Sequence, residues 1–256
     1  MSRVALVTGA ARGVGAATVK ALAAEGWSVV ATDRCRDDPR LPYPMGTREQ
    51  LQQVAAQASL LGGRVVALHA DTCDQGELAA AVAEAETRFG GLDAVLAVAG
   101  VVAGGVPLWE QDQAQLDAVL DVDLHGVVTL ARVGLPALLR RPAPRSGRFI
   151  AVSSTAATHG LPMLAAYCAA KAGVNGLIRA LAAELRGTGV TANTVSPGST
   201  RTPILEESAR LYDLDSFSAF AEQQAIERLL EPEEIAAALV WLAGAASTGI
   251  TGADLP

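Results

Sequence analysis

Short apolar runs alternate with longer helix-compatible stretches along almost the whole chain, and this alternation is its strongest constraint. Val4–Val7 ends in a glycine-rich turn, and Ala16–Glu25 then reads as a helix closed by Gly26. Trp27–Thr32 is a second strand. Arg64–His69, Leu92–Val98, Arg148–Ser153 and Val190–Ser196 are further buried-strand candidates, bounded by Gly, Pro or charged residues. Helical stretches are expected near Arg48–Leu61, Gln75–Phe89, Asp112–Leu139, Leu164–Arg186 and Pro232–Ala243. Strands joined through such helices pair in parallel by right-handed crossovers. The spacing therefore predicts an α/β fold: one doubly wound parallel sheet with helices on both faces. No repeat, low-complexity tract or linker divides residues 1–256, so a single domain is expected.

Half the residues are hydrophobic but only 4% are aromatic, so small aliphatics must do the packing. A net charge of -7 argues against a nucleic-acid partner, which would require a basic face. The first residues show no apolar run behind a basic start, so no signal peptide is expected. No uninterrupted run of about 18 apolar residues occurs, and no typical membrane helix is expected. Cys35, Cys73 and Cys168 are scattered, which suits a reduced, cytoplasmic setting better than a disulfide framework. His69, His125 and His159 have no Cys or carboxylate at ligand spacing, and no metal site is expected.

Two segments depart from the alternation. Arg36–Thr47 carries Pro39, Pro42 and Pro44 and is longer than a β-α connection needs. Thr202–Leu230 is helical without a strand of its own. In an open α/β sheet, excursions after strand C-termini lie over the ligand crevice; a surface insertion is the plainer alternative.

Two groups of residues carry chemistry. Thr8-Gly9-Ala10-Ala11-Arg12-Gly13-Val14-Gly15 follows a strand and opens a helix. Glycines there let the backbone approach a pyrophosphate, and the helix N-terminus offers it free N–H groups. Asp33, ending the second strand, is placed to accept both adenosine ribose hydroxyls and to repel a 2′-phosphate, which favours NAD over NADP. Arg12, Arg34 and Arg36 pull the other way, because arginine serves 2′-phosphate sites. Asp71 reads equally as an adenine contact and as a turn former.

Tyr167 and Lys171 stand four residues apart and share a helical face. Free tyrosine has a pKa near ~10; a cation at about 4 Å with an effective dielectric of about 20 lowers it by at most roughly three units. That would bring a tyrosinate towards neutral pH, where acid–base catalysis is most effective. A surface pair is the alternative. Ser154, at the end of a strand, could bond the substrate oxygen that Tyr167 protonates or deprotonates.

The Gly9/Gly13/Gly15 loop, Asp33, Ser154, Tyr167, Lys171 and Pro197-Gly198-Ser199-Thr200-Arg201-Thr202 together resemble the short-chain dehydrogenase/reductases. The resemblance implies a Rossmann-like sheet of order 3-2-1-4-5-6-7. It implies that Tyr167 is the acid/base, that Lys171 lowers its pKa and holds the nicotinamide ribose, and that Ser154 orients the substrate. Gly9, Arg12, Gly13, Val14, Gly15, Ala99 and Gly100 would approach NAD, and Pro197, Gly198, Thr200 and Thr202 would line its nicotinamide side. Asp33-Arg34-Cys35, Asp37-Asp38-Pro39, Tyr43-Pro44, Gly104-Gly105 and Trp109 further resemble the mycofactocin-associated, carveol dehydrogenase-like branch. That likeness implies tightly held NAD, mycofactocin as electron acceptor and Arg36–Thr47 as a flap over the adenine end.

Three departures stand out. Ala97-Val98-Ala99-Gly100 replaces the family's Asn-Asn-Ala-Gly, removing amides that brace the sheet. Asp123 stands where the family's fourth catalytic residue, Asn, helps hold a water in a relay to Lys171. Pairing with Lys171 would stabilise that cation yet screen the charge that lowers the pKa of Tyr167. The chain also stops soon after Thr251-Gly252, so the seventh strand should be short or absent, which weakens the expectation of a homotetramer or dimer. The expected activity is hydride transfer between NAD and an apolar secondary alcohol or ketone, with Leu161, Met163, Leu205, Leu211, Tyr212 and Phe217 as pocket candidates. A 3-oxoacyl or steroid reductase and a catalytically weakened NAD-binding protein are the alternatives.

Overall fold

A computed structural model describes residues 2–256. Strands β1 (Val4–Val7), β2 (Ser28–Asp33), β3 (Arg64–His69), β4 (Ala94–Ala97), β5 (Arg148–Val152), β6 (Thr191–Val195) and β7 (Asp254–Leu255) form one parallel sheet of order β3-β2-β1-β4-β5-β6-β7. Successive side chains of a strand point to opposite faces, and both faces here are covered. Val4 and Leu6 of β1 enter one core layer, whereas Ala5 and Val7 enter the other. Helices α1 (Gly13–Ala24), α2 (Arg48–Ser59) and α8 (Pro232–Ala243) cover the second face. The first is covered by α3 (Gln75–Phe89), α5 (Gly126–Arg140) and α6 (Ala165–Glu184). Helices α4 (Gln113–Leu120) and α7 (Pro203–Leu211) complete the set.

The seventh strand exists, with two residues in register: Thr194 opposite Asp254 and Val195 opposite Leu255. The Asp254 carboxylate holds it there, accepting from the Thr194 and Ser196 hydroxyls at 2.9 and 2.6 Å and from Asn175 Nδ2 at 2.8 Å. One side chain thus ties β7 to β6 and α6, which is why so short a strand can form.

The long helix expected over Asp112–Leu139 is interrupted. Residues Asp121–His125 form a π-helical turn between α4 and α5. Such turns carry an extra residue and recur at functional sites. Here it turns Asp123 into the interior, where the side chain is wholly buried. An 18-residue window within Gln113–Arg140 is apolar enough to cross a bilayer, with mean hydropathy 1.4, yet half of that window is buried within the fold. Helix α1 begins at Gly13, three residues before the expected start, because the glycine turn itself supplies its first turn. Thr202–Leu230 folds as α7 followed by a 3₁₀ segment, Phe217–Gln223.

Candidate active site

The C-terminal ends of the strands open into a cavity of about 1040 Å3. At one end lies the glycine turn. Gly9 and Gly13 adopt φ of +66° and +55°, which L side chains rarely reach. A Cβ on Gly15 would stand 2.0 Å from the Gly9 carbonyl oxygen, and one on Gly9 would stand 2.7 Å from Ala99 Cα. Those are spaces that only glycines leave, and they let a phosphate reach the N–H groups at the start of α1.

Asp33 faces the same cavity from the end of β2. Its Oδ2 accepts from Ala11 N–H and its Oδ1 from Cys35 N–H, each at 3.1 Å. It therefore fixes the glycine turn against β2 and keeps lone pairs for a ligand. Asp71 likewise does two things: it caps its own turn through Cys73 N–H at 3.0 Å and lines the cavity. Two of the arginines at this end are committed. Arg34 lies 2.8 Å from Asp38 and 3.6 Å from Asp71, and Arg36 lies 3.1 Å from Asp71.

The insertion Arg36–Thr47 is a strap, not a surface loop. Leu41 and Met45 are buried with Val101, Val119 and Val122, and Tyr43 Oη accepts from Val102 N–H at 2.9 Å. Arg40 joins Asp38 to Asp121 of the π-helical turn. Met45 and Gly46 line the cavity beside Asp33, where a Cβ on Gly46 would meet both its carboxylate oxygens within 3.3 Å.

At the other end stand Ser154, Tyr167 and Lys171. The Lys171 ammonium lies 5.5 Å from the Tyr167 ring centre and donates to the Val152 carbonyl at 3.2 Å. Ser154 faces the phenol and also accepts from Ala156 N–H, starting the 3₁₀ turn Thr155–Ala157. Burial raises the pKa of Tyr167; Lys171 and Ser154 oppose the rise, and Asp123 adds to it. The ammonium moderates the phenol's pKa, but burial outweighs it.

Asp123 does not reach the cavity wall. It sits behind Lys171, with Oδ2 3.7 Å from the ammonium and Oδ1 accepting from Val101 N–H at 2.8 Å. Burial pushes its pKa up to about 6, against the pull of Lys171, and Oδ2 has no hydrogen-bond partner. The pair in turn raises the pKa of Lys171, although burial opposes it. A carboxyl whose folded pKa exceeds its unfolded value weakens the fold when ionised. That cost is full above about pH 6 and fades as pH falls towards about 4. Denaturant titration should therefore show the wild type gaining about 1–3 kcal/mol on Asp123→Asn between pH 7 and pH 4.5. A pH-independent difference would mean that Asp123 does not titrate in this window.

The remaining expected contacts line the same cavity: Arg12, Val14, Gly100, Pro197, Gly198, Thr200 and Thr202. At Ala97-Val98, where the bracing amides are absent, the Thr8 hydroxyl accepts from Val98 N–H and Ala99 N–H at 3.0 and 3.2 Å. Of the apolar candidates, Leu161, Leu205 and Tyr212 line the cavity; Met163, Leu211 and Phe217 do not. Met163 and Leu211 instead pack their backbones over Gly104 and Gly105, and Phe217 lies under the Arg201 guanidinium at 5.4 Å. Pro162, Leu164, Leu214, Phe220 and Ile226 complete the apolar wall. Nothing in their spacing distinguishes them from core residues, so sequence reasoning missed them.

Residues 9–256 match the family described as enoyl-(acyl carrier protein) reductase, adh_short_C2. The chain is a short-chain dehydrogenase/reductase. It is 36% identical to a cis-4-hydroxycyclohexanecarboxylate dehydrogenase of Sinomonas cyclohexanicum, over 99% of this chain and 94% of that one. It is 33% identical to the (-)-trans-carveol dehydrogenase of Rhodococcus erythropolis, over 99% and 95%. Among solved structures, carveol dehydrogenase from Mycobacterium avium in complex with NAD superposes with a TM-score of 0.93 at 31% identity, covering 99% and 95% of the two chains. This short-chain dehydrogenase/reductase thus matches those relatives over 99% of its length.

Proposed function

We propose that this short-chain dehydrogenase/reductase transfers hydride between NAD and a small, largely apolar secondary alcohol or its ketone. One observation carries the reading: a single cavity joins a glycine cradle and a carboxylate at one end to Tyr167, Lys171 and Ser154 at the other. The cradle fits a dinucleotide, because the spaces at Gly9 and Gly15 would be filled by any side chain. Asp33, and arginines already paired with Asp38 and Asp71, favour NAD over NADP. When bound, the nicotinamide accepts or returns the hydride.

Tyr167 Oη takes the proton from the alcohol oxygen in oxidation and gives it to the ketone oxygen in reduction. Lys171 stabilises the tyrosinate by its charge, and Ser154 orients the substrate oxygen. Asp123 acts through Lys171 without touching the reactants. Leu161, Leu205, Tyr212 and Phe220 hold the substrate's apolar body out of water.

Because burial raises the pKa of Tyr167, oxidation should speed up through the alkaline range while reduction is flat near neutrality. Asp123 raises that pKa further, so Asp123→Asn should move the alkaline limb of the oxidation profile to lower pH. An unmoved limb in steady-state pH profiles would place Asp123 outside the relay.

The strap, wedged between Asp33 and the π-helical turn, supports retention of NAD through turnover. The likeness to the mycofactocin-associated branch makes mycofactocin the proposed electron acceptor in place of free NAD. The absorption spectrum of freshly purified, desalted protein tests both parts of the reading. Adding an apolar secondary alcohol such as carveol should produce the reduced-nicotinamide band, in amounts stoichiometric with the protein. Protein free of nicotinamide, or many turnovers of added NAD, overturns retention, and failure to reduce added NAD with any apolar secondary alcohol overturns the hydride-transfer reading.

A further inference from the structure

Cofactor choice in this fold is ordinarily sought at the end of the second strand, yet here the next residue contradicts Asp33. Arg34 lines the cavity one position further on, where its guanidinium is placed to grip a 2′-phosphate. The strap removes that option. Asp38, only 2% exposed, takes Arg34 Nη1 on Oδ2 at 2.8 Å, and Arg34 Nε lies 3.6 Å from Asp71. Arg36, the second arginine nearby, is held by Asp71 at 3.1 Å.

Asp38 is itself held firmly. Arg40 donates to it from its backbone N–H, Nε and Nη2 at 2.9–3.0 Å, and reaches on to Asp121 at 2.7 Å. The hydrogen bonds from Arg40, aided by Arg34, hold its carboxyl far below the usual carboxylate range, so it is anionic throughout the working pH. A phosphate on the ribose would thus meet Asp33 and Asp71, which line the cavity, with Arg34 already spent on Asp38.

We propose that Asp38 on the strap is a cofactor-specificity residue, which withholds Arg34 from a 2′-phosphate and so excludes NADP together with Asp33. The inference rests on the NAD reading above. Arg12 on the glycine turn also lines the cavity, so its contribution must be separated from that of Arg34.

Each purified protein is held in an equimolar NAD and NADP mixture until its bound ratio is constant. It is then desalted and denatured, and the released dinucleotides are quantified. Asp33→Ser alone should raise the bound NADP:NAD ratio modestly. Asp33→Ser with Asp38→Asn should raise it about tenfold or more beyond that, the size of one charge-assisted hydrogen bond released. Adding Arg34→Ala to that pair should abolish the extra gain. Because Asp38→Asn could loosen the strap, a second comparison avoids it: Asp33→Ser with Arg34→Ala should match Asp33→Ser within about twofold.

Full gain from Asp33→Ser alone, or loss of NADP on adding Arg34→Ala to it, shows Arg34 to be free and overturns the proposal. An unchanged ratio in the Asp33/Asp38 double variant overturns it as well, while NAD binding by the wild type leaves the cofactor reading intact. Wild-type protein that binds neither dinucleotide in an equilibrium titration overturns the cofactor reading, and this proposal with it.

Discussion

Tyr167→Phe should lower kcat for both oxidation and reduction by about 10²–10⁴-fold, the usual contribution of a positioned acid–base group. The substitution removes one oxygen and leaves the ring packed between Lys171 and the buried residues of α4 and α6. Folding and dinucleotide content should therefore match the wild type. Steady-state kinetics beside thermal melting and quantified bound nicotinamide make the comparison. A variant that keeps more than about a tenth of wild-type kcat would show that another group moves the proton, and the proposed chemistry would fail.

Gly15→Ala should weaken both the fold and dinucleotide binding. Its Cβ would lie 2.0 Å from Gly9 O, 2.7 Å from Gly9 C and 3.1 Å from Ala10 Cα. All three are backbone atoms, so no side chain can swing aside; the turn or the start of α1 must move. Overpacking of this kind costs about 1–3 kcal/mol, and the displaced N–H groups should weaken dinucleotide binding by about a hundredfold. Gly176→Ala in the interior of α6 is the contrast. Nothing lies within 4 Å of its added Cβ, so it should stabilise by about 0.5–1 kcal/mol. Urea titration and isothermal binding measure both. Wild-type dinucleotide affinity in Gly15→Ala would mean that the phosphates do not rest on this turn.

Strands and helices were legible because their signals are local. Val4–Val7, Gln75–Phe89 and Pro232–Ala243 fall at the expected residues, since apolar period, the Asp74 cap and a first-turn proline are all written in neighbouring positions. The break at Asp121–His125 carries no such mark. DVDLH is compatible with an unbroken helix, and only the buried pairing of Asp123 with Val101 N–H and Lys171 accompanies the extra residue in that turn. The seventh strand could be read as short or missing; the Asp254 carboxylate, bonded to β6 and α6, decided in its favour.

The residues of the glycine turn and the Tyr167/Lys171 spacing mark the dinucleotide and chemical ends of the cavity in the sequence itself. Each depends on geometry inside a single turn or helix. What no spacing could show is the reach of the strap. Tyr43 meets Val102 and Arg40 meets Asp121, contacts that join separate crossovers. The pKa of Tyr167 belongs to the same class. Its helical neighbour Lys171 is visible in the chain, but the burial that outweighs that neighbour arises only when α4, α6 and the strap close around the phenol. Local periodicity decides which segments become strands and helices; desolvation and long-range ion pairing are properties of the assembled interior.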